Sequence, residues 1–114
     1  MKFVLAVLFL VLGSCSAFSE YVIMGLGSNS CGKFADLYKK DPPAENWYFY
    51  WAQGYMSAFN NVSIAAEKPW RDLSAMSVEA QEAHIRRYCD QHPLDKYLDA
   101  VHDLLGALPL KGGK

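Results

Sequence analysis

YCDQHPLDKYLDAVHDLLGALP, residues 88–109, decides the fold class. Beyond Pro93, the residues Leu94, Tyr97, Leu98, Val101, Leu104, Leu105 and Leu108 recur every three or four positions, which is the spacing of one buried face of an α-helix. Pro93 suits a first helical position, where its missing N–H costs nothing. Asp95 sits where the positive end of the helix dipole favours an acid. The helix is expected to stop at Pro109, leaving residues 109–114 as a flexible tail. On the other side of Pro93, Cys89 lies near the end of a second helical pattern. Ser77 is its expected cap, its end is near Gln91, and Val78, Ile85, Tyr88 and Cys89 point inward. Gln81 and Glu82 sit close to that face and spoil its regularity.

Two further helices precede these. Cys31, Phe34, Ala35 and Tyr38 share a face from about Cys31 to Lys39, after a turn whose Ser28, Asn29 or Ser30 is placed to cap the first N–H groups. Asp41-Pro42-Pro43 ends that helix. From Ala44 to about Asn60, Tyr48, Ala52, Tyr55 and Phe59 form a stripe flanked by Trp47, Trp51 and Ala58, and Gly54 is expected to mark a close helix contact. Residues 61–76 read as a connecting loop tethered by Trp70, and Asn61-Val62-Ser63 matches a glycosylation sequon. Residues 18–30 are expected to be extended, with a β-prone patch at Tyr21 to Met24. The expected fold is all-α: a small bundle of four helices over residues 31–108, stapled by one disulfide, behind a short extended N-terminal segment.

The staple follows from cysteine arithmetic. Residues 1–17 read as a signal peptide, with Lys2, ten apolar residues from Phe3 to Leu12, and then small residues. Cleavage after Ala17 leaves 97 residues. Leu12-Gly13-Ser14-Cys15 also matches a lipobox, in which Cys15 becomes the acylated first residue. Either route withdraws Cys15 from pairing. Cys31 and Cys89 remain, an even count in an oxidising compartment, as a disulfide requires. The loop it closes, about 59 residues, corresponds to roughly 4 kcal/mol in the chain-entropy account. No later run reaches the roughly 20 apolar residues of a membrane span.

Charge excludes more than it assigns. After residue 17 the chain has ten Lys and Arg against twelve Asp and Glu, with no sustained basic run, which argues against a nucleic-acid surface. Lys39 and Lys40 are followed by Asp41, and Arg86 and Arg87 by Asp90, as on solvated faces. Cys31, His84, Cys89 and His92 have zinc-ligand chemistry but match no common zinc spacing, and export oxidises thiols. Oxidation equally silences a cysteine nucleophile. Asp99 and Asp103 share the polar side of the fourth helix. No catalytic constellation, metal site or cofactor motif is found, and the chain is expected not to be an enzyme.

The anomaly is WYFYWAQGYM, residues 47–56, whose five consecutive aromatics point around most of a helix. With Trp47, Tyr48, Trp51 and Tyr55 inside, Phe49, Gln53, Met56 and Asn60 fall on another side. The plain reading is that neighbouring helices bury both sides. The sharper one makes Phe49, Gln53, Met56 and Asn60 a surface for self-association or for a protein partner.

Ser30-Cys31-Gly32, Trp51-Ala52-Gln53-Gly54-Tyr55-Met56-Ser57, Tyr88-Cys89, His92-Pro93-Leu94-Asp95 and Ala100-Val101 together resemble the HdeA-like periplasmic proteins and the related Tai-type immunity proteins of small exported bacterial chains. The resemblance implies an all-helical domain, a disulfide joining the first and third helices, frequent dimerisation, a bacterial periplasmic location and function by binding. It carries no catalytic residue. Two activities are implied: an acid-stress chaperone, or an immunity protein neutralising a secreted toxin. Acid protonation would leave residues 18–114 formally +13, enough self-repulsion to loosen a dimer or a fold.

Overall fold

The computed structural model describes residues 22–113. The export segment 1–17, the Leu12–Cys15 lipobox and acylation of Cys15 lie outside the described residues, as do residues 18–21 of the extended segment. Residues 22–24 join no strand, and Gly25–Ser28 form a single 3-10 turn. Four helices follow: α1 (Cys31–Lys40), α2 (Ala44–Ala65), α3 (Val78–Gln91) and α4 (Tyr97–Ala107). Two short strands, β1 (Trp70–Arg71) and β2 (Leu110–Lys111), pair antiparallel. The chain is an all-α bundle stapled by Cys31 and Cys89, whose Cα atoms lie 4.6 Å apart.

The start of α1 explains the start of α4. Ser30 Oγ accepts from Lys33 N at 3.1 Å, a helix cap. Two other N–H groups of the first turn reach across the molecule: Cys31 N donates to Asp95 O at 2.7 Å, and Gly32 N to Pro93 O at 2.9 Å. Tyr97 N returns the contact by donating to Asn29 O at 2.8 Å. Helix donors that would otherwise lack partners are therefore satisfied by the α3–α4 turn. That turn is bent to offer its carbonyls, so α4 begins at Tyr97 and not at Pro93. Leu94, expected inward, is 95% exposed. Asp99 accepts from Lys96 N at 2.8 Å and holds the first turn of α4.

The second helix is longer than its sequence signals. It continues past Asn60 to Ala65 and closes with Glu67 N donating to Ile64 O and Lys68 N to Ser63 O, both at 2.9 Å. These are the paired bonds of a Schellman motif, with Glu67 in the left-handed position at φ 55° where glycine is the usual residue. Without that glycine, the one sequence signal for the end is Pro69, three residues past the cap at Ala66.

Residues 110–113 are not a free tail. Leu110–Lys111 pair with Trp70–Arg71, and the Asn60 amide bonds both to Arg71 N (2.9 Å) and to Arg71 O (2.8 Å). Arg71 Nη1 donates to Leu108 O at 2.9 Å. Trp70, read as a loop tether, thus belongs to a two-stranded ribbon that ties the end of α4 to α2. Gly112 closes against it: at φ 65°, its Cβ would fall 2.5 Å from Trp70 Nε1.

The core gathers around α4, which buries Tyr97, Leu98, Ala100, Val101, Leu104 and Leu105. Phe34, Tyr48 and Tyr97 meet as a triangle with each pair of ring centroids 4.9 Å apart, in tilted and edge-to-face orientations. The staple joins this cluster to α3 beside Ile85. Val78, expected inward, is exposed, whereas Gln81 is buried at 4%. Gln81 Nε2 donates to Leu73 O (2.8 Å) and Met76 O (2.9 Å), so a polar side chain holds the stretch entering α3.

Candidate functional site

The candidate site is the outward face of α2. Inward, the helix presents Tyr48, Phe49, Ala52 and Met56, at 0–2% exposure. This corrects the proposed partner surface: Phe49 and Met56 are core residues, and Asn60 is occupied by Arg71. Of that group only Gln53 is exposed. Trp47, expected inside, stands out at 68%, with Tyr50 at 61% beside it in an edge-to-face contact at 6.2 Å. Trp51 and Tyr55 are half-buried and stack at 5.4 Å, and the Tyr55 hydroxyl meets His102 Nε2 at 2.6 Å.

After Met56 no residue of α2 is buried, and Phe59, Val62 and Ile64 are exposed. Tyr55, Ala58, Phe59 and Val62 outline a shallow groove of 280 Å³. Gly54 marks no close helix contact within the chain, because a Cβ there would have no neighbour within 4 Å. At 100° per residue, Trp47, Tyr50, Gly54, Ala58, Asn61 and Ala65 fall along one outward stripe. The sequence reading missed it by choosing the wrong period origin: Tyr48, Phe49, Ala52 and Met56 are as regularly spaced as the stripe first assigned.

This face is uncharged. From Asn46 to Ala65, twenty residues, there is no Asp, Glu, Lys, Arg or His. The one charge on α2, Glu45, turns to Arg86 on α3 and holds its guanidinium above the ordinary value through their hydrogen bond. Glu82 nearby is pushed up, first by burial and then by the Glu45 charge. The charged chemistry of the bundle thus sits on the α1–α3–α4 side, where Lys39 also pairs with Asp90 at 3.2 Å.

The other sequence candidates fall apart in space. Cys31 and Cys89 are bonded to each other, so neither is a thiolate. His84 Nε2 contacts Asp103 Oδ2 at 2.7 Å, and His92 lies 3.9 Å from Asp95. Among the described residues, no three His, Cys, Asp or Glu groups converge as metal ligands. No helix among them is long and apolar enough to cross a membrane. In comparisons with protein-family models, with curated proteins and with solved structures, nothing matches this chain.

Proposed function

We propose that the chain is a non-enzymatic protein-binding module, acting in a compartment where the Cys31–Cys89 bridge stays oxidised, and that the first partner of its α2 face is a second copy of itself. The observation that carries this reading is the twenty-residue uncharged run bearing exposed Trp47, Tyr50, Phe59 and Val62. Trp47 and Tyr50 alone leave on the order of 300 Å² uncovered on each copy. Two such faces, with Val62 and their smaller neighbours, approach the roughly 1,200 Å² at which stable interfaces begin.

The face is also self-complementary. An antiparallel pair of α2 helices with its two-fold axis between Gly54 and Ala58 sets Tyr50 against Val62 and Trp47 against Ala65. Each bulky residue then meets a smaller one, as an isologous contact requires. Gly54 and Ala58 let the helices approach closely at the axis. The resemblance to HdeA-like proteins supports a use for such a pair. Acid gives every copy a large positive charge, the pair separates, and the freed aromatic faces engage partly unfolded clients.

Sedimentation velocity at pH 7 and at about pH 2.5, where carboxylates of ordinary pKa are mostly neutral, tests this. A dimer at neutral pH that dissociates in acid and suppresses light scattering by an acid-labile enzyme is the expected result. Ala58→Arg should give a monomer at pH 7. A wild-type monomer at all pH values, with no effect on client aggregation, overturns the reading.

A further inference from the structure

A second feature lies where α2 faces the approach to α3. Gln53 and Ser57 on one side and residues 73–81 on the other enclose an open cavity of 580 Å³, within the range of about 300–1,000 Å³ typical of ligand sites. No lining residue is charged. Leu73, Met76 and Val78 supply its apolar surface above the buried Met56, and Met76 is an adaptable thioether suited to side chains of varied shape.

Gln81 gives the cavity a direction. Its amide nitrogen spends both hydrogens on Leu73 O and Met76 O. The reversed amide would set oxygen against two carbonyls, so the orientation is determined by the bonds themselves. Gln81 Oε1 then has no donor among the described residues and is not sealed from solvent, on a residue that lines the cavity. Such an acceptor is free to take a donor from whatever enters. Beside it, Ser77 Oγ accepts from Ala80 N at 3.2 Å and keeps its hydroxyl proton free to donate. Ser77 and Val78 also place the positive end of the fourteen-residue α3 at the wall.

We propose that this cavity binds an uncharged aliphatic amide, the group that a peptide backbone presents with a leucine- or methionine-sized side chain. The ligand N–H donates to Gln81 Oε1, its carbonyl oxygen accepts from the Ser77 hydroxyl, and its side chain packs on Leu73, Met76 and Val78. The inference rests on the protein-binding reading and names the chemistry that reading lacks, a single apolar residue of an extended segment. It does not require self-association.

Titration of the ¹⁵N-labelled protein with N-acetyl-leucine methylamide tests it. Saturable shifts are expected at Leu73, Ser77 and the Gln81 side-chain amide, and an acetylated, amidated Ala-Leu-Ala peptide should reproduce them. 4-Methylpentan-1-ol, which lacks the amide, should bind at least tenfold more weakly. Gln81→Leu removes bonds that hold the loop and so risks the fold. Ser57→Trp, at the exposed rim, fills the mouth instead and should abolish binding with unchanged circular dichroism and Tm. Non-saturable shifts, equal binding of the alcohol, or binding that survives Ser57→Trp in the folded variant overturns the proposal. A wild-type dimer that ignores the amide sinks this inference alone, whereas a monomer that binds it sinks only the paired-helix reading.

Discussion

The Lys111 ammonium donates to the Asp72 carboxylate at 2.7 Å, joining the last strand to the stretch that enters α3. Ser74 adds its backbone N–H at 3.0 Å and its hydroxyl at 2.6 Å to the same carboxylate. The Lys111 bond, then those of Ser74, hold Asp72 down at about 2 from its usual 3.8. Because the folded value is the lower one, the stabilisation is complete above pH 4 and disappears as the pH falls towards 2. Urea midpoints measured between pH 5 and pH 2 should drop more steeply in the wild type than in Lys111→Met. Parallel curves would show that the pair contributes nothing.

Reducing the Cys31–Cys89 bridge should cost about 4 kcal/mol, the loop-closure contribution for 58 residues of separation. The double variant Cys31→Ala with Cys89→Ala should lose a similar amount, read as a fall in the urea midpoint. Native protein should resist alkylation until it is denatured and reduced. Ready alkylation of both residues in the folded, unreduced protein would contradict the Cys31–Cys89 bridge.

Tyr88 donates its hydroxyl to Asp95 Oδ2 at 2.7 Å, spanning the turn at Pro93. That bond, aided by burial and by the Asp95 charge, pushes the phenol up to about 12. A raised folded value means stabilisation that is complete below pH 10 and lost as the pH rises towards 12. Tyr88→Phe should cost roughly 0.5–1.5 kcal/mol at neutral pH and flatten the loss of stability between pH 10 and 12. Alkaline titration followed by tyrosinate absorbance should lose one late-ionising group.

Two glycines should respond in opposite directions to alanine. A Cβ on Gly27 would fall 2.0 Å from the Trp51 indole ring, so Gly27→Ala must displace the ring. A loss of about 1–3 kcal/mol and a changed Trp51 emission are expected. Gly54→Ala meets open space inside a helix and should stabilise each copy by about 0.5–1 kcal/mol. Thermal unfolding of both variants reads the contrast directly.

Phe34→Ala should be the most damaging single change, about 3–5 kcal/mol, because it opens the aromatic triangle with Tyr48 and Tyr97. Truncating Leu94, apolar but exposed, should be nearly silent. If Leu94→Ala destabilised the chain as much as Phe34→Ala, the bent turn at Pro93 would be wrong.

How far the sequence could be read depended on how far each signal was local. The α3 cap at Ser77 and the proline stop after α1 are signals within a few residues of the helix ends, and they were legible. The sequence narrows the α1 cap only to Ser28, Asn29 or Ser30, and the structure places it at Ser30. Helical periodicity in α4 was legible because only one face of that helix is apolar. It failed in α2, where nearly every position is aromatic, small or uncharged, so that several faces fit the same spacing. It failed again at Leu94, an apolar residue in register with a helix that had not yet begun. Gln81 was visible only as an imperfection in α3, because its partners, the carbonyls of Leu73 and Met76, belong to a loop without a pattern.

Amino-acid order alone determined that this is a helical chain in which Cys31 and Cys89 could pair, since hydrophobic spacing and cysteine positions are properties of the string. Only the tertiary structure decided which side of α2 meets solvent. Phe49 and Met56 are inside because α4 and the approach to α3 lie on that side, leaving Trp47, Tyr50 and Val62 largely exposed. Burial is a relation between segments distant in the chain, and a periodicity compatible with two orientations cannot choose between them until the neighbouring helices are in place.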